Sequence, residues 1–205
     1  MIPHDIIMNL IQKKIVCFKT NLLISRALSA GYQDPDSGGI ITTKIGTPQG
    51  SVLSPLLANI VLNELDQYMD QFKQKFDVGK KRARNRAYDS LSSQIQNAQK
   101  VQNPDPKRIK ALVLERRKLH SELPIDPNFK RLMYLRYADD FIVLVAGSHH
   151  DATLIKNRIK DVLYKKCGLN LNTDKTVISR TRDGFEFLGA FCVNPNTSNF
   201  LRPSK

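Results

Sequence analysis

Two aspartates stand side by side, Asp139 and Asp140, between two apolar runs of strand length. Upstream, residues 131–136 are rich in large apolar and aromatic side chains, and downstream Phe141 to Ala146 is almost continuously apolar. Runs of that length and composition read as strands. Tyr137-Ala138-Asp139-Asp140 then forms the tight turn of a β-hairpin, because Asp accepts turn conformations that a β-branched residue resists. Such a hairpin presents two carboxylates at its tip. Hard oxygen ligands in an open setting suit Mg²⁺, which takes one or two protein carboxylates, keeps several waters and shares the phosphates of a substrate. By itself an Asp-Asp turn does no more than solvate a hairpin, so its meaning depends on the rest of the chain.

Charge narrows the partner. The 205 residues carry 32 Lys/Arg against 19 Asp/Glu, a formal charge of +13. A balance of that size calls for a polyanion, with nucleic acid the economical choice. A membrane surface fits less well, because no basic amphipathic helix with an aromatic face stands out and no stretch reaches transmembrane length. The excess is concentrated: residues 73–130 hold fifteen Lys/Arg against six Asp/Glu. Lys80, Lys81, Arg82, Arg84 and Arg86 form one cluster, and Arg116, Arg117 and Lys118 a second. Both are candidates for binding RNA phosphates. Cys17, Cys167 and Cys192 are widely spaced, with no CxxC pair, and read as reduced and mostly structural thiols. Neither a signal peptide nor a transit peptide is visible at the N-terminus.

The elements that must position these residues follow from periodicity. Pro3 to Ile15 and Thr20 to Ala30 have helical apolar spacing, with Gly31 placed as the stop of the second. A short strand is predicted over Ile40 to Ile45, followed by the loop Gly46-Thr47-Pro48-Gln49-Gly50. Ser54 and Pro55 suit the start of a helix whose stripe is Leu57, Ile60, Val61 and Leu65. Residues 73–130 read as a basic, mostly helical insertion, dividing the chain into 1–72, 73–130 and 131–205. Within it, Leu91 to Lys100 is polar and Gln-rich, Asn103-Pro104-Asp105-Pro106 is a turn, and Lys107 to Leu119 has helical spacing. After the hairpin come a helix from His150 to Lys166 ended by Gly168, then strands over Leu169 to Ile178 and Phe185 to Val193. This order indicates an α+β fold with helices on one face of an antiparallel sheet.

Four segments in a fixed order resemble a reverse transcriptase of the group II intron type. They are Gly46-Thr47-Pro48-Gln49-Gly50 with Ser54-Pro55, Ala58-Asn59 and Leu65-Asp66; then Tyr137-Ala138-Asp139-Asp140; then Gly168-Leu169-Asn170 with Lys175-Thr176; then Phe187-Leu188-Gly189. The resemblance covers nearly the whole chain, and the long basic insertion looks most like mitochondrial intron maturases. It implies a reverse-transcriptase palm with partial fingers, acting as an RNA-directed DNA polymerase. Asp139 and Asp140 would be the catalytic Mg²⁺ ligands. Gln49, which can donate and accept, and Gly50, which lets backbone approach closely, would border the incoming nucleotide and template. Lys175 would meet phosphate charge, and Phe187, Leu188 and Gly189 would touch the primer. The implied partners are RNA, either intron RNA or a template with a DNA primer, and deoxynucleoside triphosphates. The implied location is the mitochondrion, with the gene in the organelle.

One departure is expected to matter. Family members carry a further catalytic aspartate on the strand before the first helix, in a segment ending like Ile2-Pro3-His4-Asp5. It has no counterpart among these residues, and Asp5 matches a later, helix-start position. The chain is therefore expected to be an N- and C-terminally truncated piece, weak or inactive alone, unless a partner chain supplies the missing strand. An RNA-binding splicing cofactor without polymerase activity, or a structural ribonucleoprotein component, stays open beside the enzyme.

Overall fold

The structure is a computed structural model that describes residues 2–33, 38–42, 45–46, 52–193 and 202–203. In chain order the elements are α1 (His4–Gln12), α2 (Phe18–Ser29), β1 (Tyr32–Gln33), β2 (Ile40–Ile41), α3 (Ser54–Phe76), α4 (Arg86–Lys100) and α5 (Pro106–Arg117). They continue with β3 (Arg131–Tyr137), β4 (Asp140–Ala146), α6 (His149–Cys167), β5 (Phe185–Phe187), β6 (Ala190–Cys192) and β7 (Arg202–Pro203). The strands pair as β1-β2, β3-β4 and β5-β6-β7, three small sheets rather than one continuous sheet among the described residues. This is a mixed α+β fold. Two compact units emerge: Met1–Phe72, Tyr134–Leu144 and His150–Lys205 make the first, Lys73–Met133 and Val145–His149 the second.

The core of the first unit is helical. Leu57, Val61, Leu65 and Met69 recur every fourth residue along α3 and are all buried, as are Ile7 and Ile11 of α1. Ile155, Ile159, Val162, Leu163 and Cys167 line the buried face of α6. Each fully buried side chain of this kind contributes about 1.5–3 kcal/mol. The Cys167 thiol donates to the Val61 carbonyl at 3.5 Å, joining α6 to α3. Burial, helped by the Glu64 charge, pushes that thiol up to about 11. Gly168 ends α6 at φ +64°, and a Cβ there would lie 2.6 Å from Ile6 Cδ1. The left-handed backbone favours glycine there, and any larger residue would also make the Ile6 side chain shift.

The second unit closes on itself at its base. Val78 and Lys130 exchange backbone hydrogen bonds of 3.0 and 3.1 Å. Lys73 Nζ donates to Asp77 Oδ2 at 2.6 Å and to the Leu132 carbonyl at 2.7 Å, while the Leu132 N–H donates to Asp77 Oδ1 at 2.8 Å. Further out, buried Asp126 accepts from the backbone N–H groups of Ala83 and Asn128. Helices α4 and α5 pack together as an antiparallel hairpin with Ile95 buried. Asn85 caps α4 by accepting from the Ala87 N–H, and Asp105 caps α5 with Pro106 in the first turn.

Two expectations change. The strand predicted over Leu169 to Ile178 does not form; Asn172 instead accepts from the N–H groups of Asp174 and Lys175 through its side chain and from Thr176 through its carbonyl. Local side-chain to backbone bonds of this kind compete with a ladder, and here they win. The strand predicted from Ile40 shortens to Ile40–Ile41, and Ile45 bridges Pro3 instead. No helix among the described residues is long and apolar enough to cross a membrane.

Among the thiols, Cys17 is exposed and Cys167 fully buried. In the native protein at neutral pH a soluble thiol reagent is expected to label Cys17 and to spare Cys167 until denaturant is added. Peptide mass spectrometry reads the two sites, and early labelling of Cys167 would contradict the packing of α6 on α3.

Candidate functional site

The acidic turn is as short as a hairpin turn can be. Tyr137 ends β3, Ala138 and Asp139 form the loop, and Asp140 opens β4. Ala138 has φ +53° while Asp139 stays at negative φ, the pattern of a type II′ turn. Left-handed backbone is costly for any residue with a Cβ and persists only where the surroundings hold it. Asp139 and Asp140 are both exposed.

Arg136 is what holds it. Its Nε donates to Asp66 Oδ1 at 2.8 Å and its Nη2 to Asp66 Oδ2 at 2.6 Å. Its Nη1 donates to Asn59 Oδ1 at 2.8 Å and to the Ala138 carbonyl at 2.6 Å. Tyr134, two residues back on the same face of β3, donates its hydroxyl to Asp66 Oδ1 at 2.9 Å. Asn59 and Asp66 lie seven residues apart on α3, two turns of one helix face. A planar guanidinium thus locks a helix face to the backbone of the acidic turn, a task suited to the fixed fork of arginine. Only 12% of the Arg136 side chain and 30% of the Asp66 side chain are exposed, so the pair is shielded more than a surface ion pair. Burial pushes the Asp66 carboxyl up, but the hydrogen bonds and charge of Arg136, with Tyr134, outweigh it and hold the carboxyl below its ordinary value. Burial and the bond to Asp66 raise the Tyr134 hydroxyl.

The other predicted residues sit on loops of the same unit. Lys175 is exposed in the Asn172 turn. Phe187, Leu188 and Gly189 span the β5–β6 turn, in which Leu188 at φ +51° and Gly189 at φ +75° give the type I′ pattern. Leu188 is 51% exposed, an apolar side chain held outward on left-handed backbone. Gln49 and Gly50 lie outside the described residues; the start of their loop is tied down, since the Gly46 N–H donates to the Ile2 carbonyl at 2.7 Å.

Of the predicted RNA-binding cations, several have partners in their own unit. Arg84 forks onto Asp89, Arg82 lies 5.4 Å from the Phe129 ring centroid and Arg116 lies 5.5 Å from that of Tyr88. Lys80, Lys81, Arg86, Arg117 and Lys118 are exposed. Sequence reasoning singled out neither Arg136 nor Tyr134, nor a role for Asn59. The signal was an arginine at an inward position of an apolar strand, which demands an acid, and Asn59 and Asp66 at two-turn spacing supply it.

The acidic turn on its braced hairpin is carried by helices and small antiparallel sheets, a mixed arrangement consistent with part of a reverse-transcriptase fold. Residues 1–191 match the family described as reverse transcriptase (RNA-dependent DNA polymerase), and the chain belongs to that family. It is 38% identical over 191 residues to the COX1/OXI3 intron 2 protein of Saccharomyces cerevisiae, covering 92% of this chain and 22% of that protein. It is 35% identical over 193 residues to the group II intron-encoded protein LtrA of Lactococcus lactis subsp. cremoris, covering 92% and 32% respectively. The 91 kDa protein in the cob intron of Schizosaccharomyces pombe is 35% identical over 204 residues, covering 98% and 25%. The chain thus spans a third or less of the length of these relatives, and it is a reverse transcriptase domain of the kind group II intron-encoded proteins carry. The family works with divalent metal, and the donors fit one: adjacent exposed carboxylates leave room for water and phosphate ligands. Among the described residues no group of three or more His, Cys, Asp or Glu gathers into a closed metal cage.

Two outcomes follow from this geometry. The depressed Asp66 carboxyl contributes stability at every pH above the ordinary carboxylate range and loses it as pH falls through the folded value. Asp66→Asn is therefore expected to cost about 1–3 kcal/mol near neutrality, with a smaller difference from the parent in acid. Urea unfolding at both pH values measures it, and an undiminished difference in acid would show that the charge is not what stabilises. Leu188→Gly, relieving left-handed strain of about 1 kcal/mol, is expected to leave the melting temperature unchanged or raised. A marked fall would mean that Leu188 packs rather than projects.

Proposed function

We propose that this chain is the palm of a group II intron-encoded reverse transcriptase and copies RNA into DNA, with Asp139 and Asp140 holding Mg²⁺. The observation that carries the reading is the exposed acidic turn whose backbone Arg136 braces through the Ala138 carbonyl. Family membership supports the reaction class. Bound there, Mg²⁺ would supply positive charge against the triphosphate and the attacking primer hydroxyl. Asp139 and Asp140 offer the ligand oxygens. Arg136, its own charge matched by Asp66, fixes the turn without competing for those oxygens. Lys175 meets phosphate charge from its exposed turn, and Phe187, Leu188 and Gly189 face the primer, with Leu188 as the projecting side chain. Gln49 and Gly50 are assigned to the nucleotide and template on the resemblance alone.

The partners on this reading are an RNA template with a DNA primer and deoxynucleoside triphosphates. Relatives named for COX1/OXI3 and cob introns favour a mitochondrial setting. A second reading, an intron-splicing cofactor that binds intron RNA, is favoured by one observation: residues 73–130 hold fifteen Lys/Arg against six Asp/Glu. In both readings the basic insertion, including Lys80, Lys81, Arg86, Arg117 and Lys118, contacts RNA.

Primer extension separates the two. With an RNA template, a DNA primer, deoxynucleoside triphosphates and Mg²⁺, extension is expected to fall by at least ~10²–10³ on Asp139→Ala, as removal of one preorganised electrostatic group does. Extension unaffected by Asp139→Ala would refute the metal assignment. RNA binding with no extension would favour the splicing cofactor.

A further inference from the structure

We infer that the outer face of α5 is a docking strip for the phosphate backbone of double-stranded RNA, and that the 82–84 part of the basic cluster is structural. The proposal rests on the reading that the basic insertion binds RNA, and it names which residues bind and what form of RNA they fit.

The cations of the second unit fall into two kinds. Arg84 is spent on Asp89, with an Nη2–Oδ1 distance of 2.5 Å and two further contacts of 3.1 Å from Nε. Arg82 and Arg131 both lie on the Phe129 ring, at 5.4 and 4.6 Å from its centroid. Arg116 lies 5.5 Å from the Tyr88 centroid and reaches Ser92 Oγ at 3.5 Å. A guanidinium on a ring or forked onto a carboxylate loses those contacts if it turns to a phosphate.

Helix α5 is built differently. Its half-buried residues, Ile109, Leu112, Val113 and Arg116, share one face, and no α5 residue is fully buried. On the opposite face Lys107, Lys110, Leu114 and Lys118 follow at intervals of three, four and four residues, all exposed, with Arg117 exposed beside them. At 1.5 Å per residue Lys107 and Lys118 are about 16 Å apart along the axis, enough to meet several phosphates of one groove edge. Glu115 is the one acid within α5.

The form of RNA follows from the aromatic residues. Single-stranded RNA is held chiefly by bases stacked on aromatic side chains, whereas an RNA duplex is recognised by shape and by its phosphates and hydroxyls. The outer face of α5 carries no aromatic residue. Tyr88 and Phe129 are covered by arginines, and Lys130 lies over Phe76. The insertion thus offers regularly spaced cations and covered rings, which fits a duplex backbone and not unstacked bases.

The test uses the 205-residue protein with a labelled RNA duplex of arbitrary sequence and a uridine-only single strand, titrated at several salt concentrations. Parent protein should prefer the duplex. A variant carrying Lys107→Gln, Lys110→Gln, Arg117→Gln and Lys118→Gln keeps good helix formers, so its melting curve should match the parent. Its log–log salt slope should fall by about 3, at about 0.7–0.9 per lost phosphate contact, and its affinity at moderate salt by at least about tenfold. Arg82→Gln with Arg84→Gln should lower the melting temperature and keep the parent slope. Should the fourfold variant melt early, Lys107→Gln with Lys110→Gln alone should lower the slope by about half as much. Parent-like slopes in the α5 variants, or tighter binding of the single strand, would overturn the inference while leaving RNA binding by the insertion intact. Absence of salt-dependent binding by the parent to either RNA would overturn the RNA-binding reading and this inference with it.

Discussion

The Arg136 guanidinium is the contact on which the acidic hairpin depends. A two-residue turn with Ala138 at positive φ is not a conformation the backbone prefers, and two adjacent carboxylates at its tip repel each other. Arg136 answers the first difficulty by binding the Ala138 carbonyl, and Asp66 and Asn59 anchor Arg136 in turn. The pairing with Asp66 also keeps the arginine charge from collapsing onto Asp139 or Asp140. The cation nearest the acidic turn is thus already matched, and it is anchored on a helix whose other face is buried in the core.

The insertion solves a different problem. Bringing the ends of a long segment together carries an entropic cost that grows only slowly with length, so a large insertion is tolerated if its base is held. The Val78–Lys130 pair and the Lys73–Asp77–Leu132 bonds hold it. Inside the segment, cations are divided between packing and display. Arg82, Arg84 and Arg116 lie against Phe129, Asp89 and Tyr88, while the lysines of α5 are exposed. Net charge alone treats these groups as equivalent; their neighbours do not.

Much of this was legible in the chain. The apolar repeats of α1, α3 and α6 place helices at the right positions, since a stripe every third or fourth residue has one way to be buried. The runs flanking Tyr137 to Asp140 place the hairpin and its tip. Legibility ended where a residue's neighbours, not its own type, chose the outcome. Leu169 to Ile178 alternates like a strand, yet Asn172 closes a turn within it. The strand expected from Ile40 ends after Ile41, and Ile45 instead bridges Pro3.

The sequence by itself determined the acidic turn, the helical core and the location of the basic excess, because residue type and spacing carry each of these directly. Tertiary structure alone decided which arginines remain available and what holds the turn. Arg136 and Asp66 are seventy residues apart in the chain, and no local pattern joins them. Their pairing exists because the fold brings β3 within hydrogen-bond reach of α3, where a half-buried guanidinium must find a carboxylate or leave the strand.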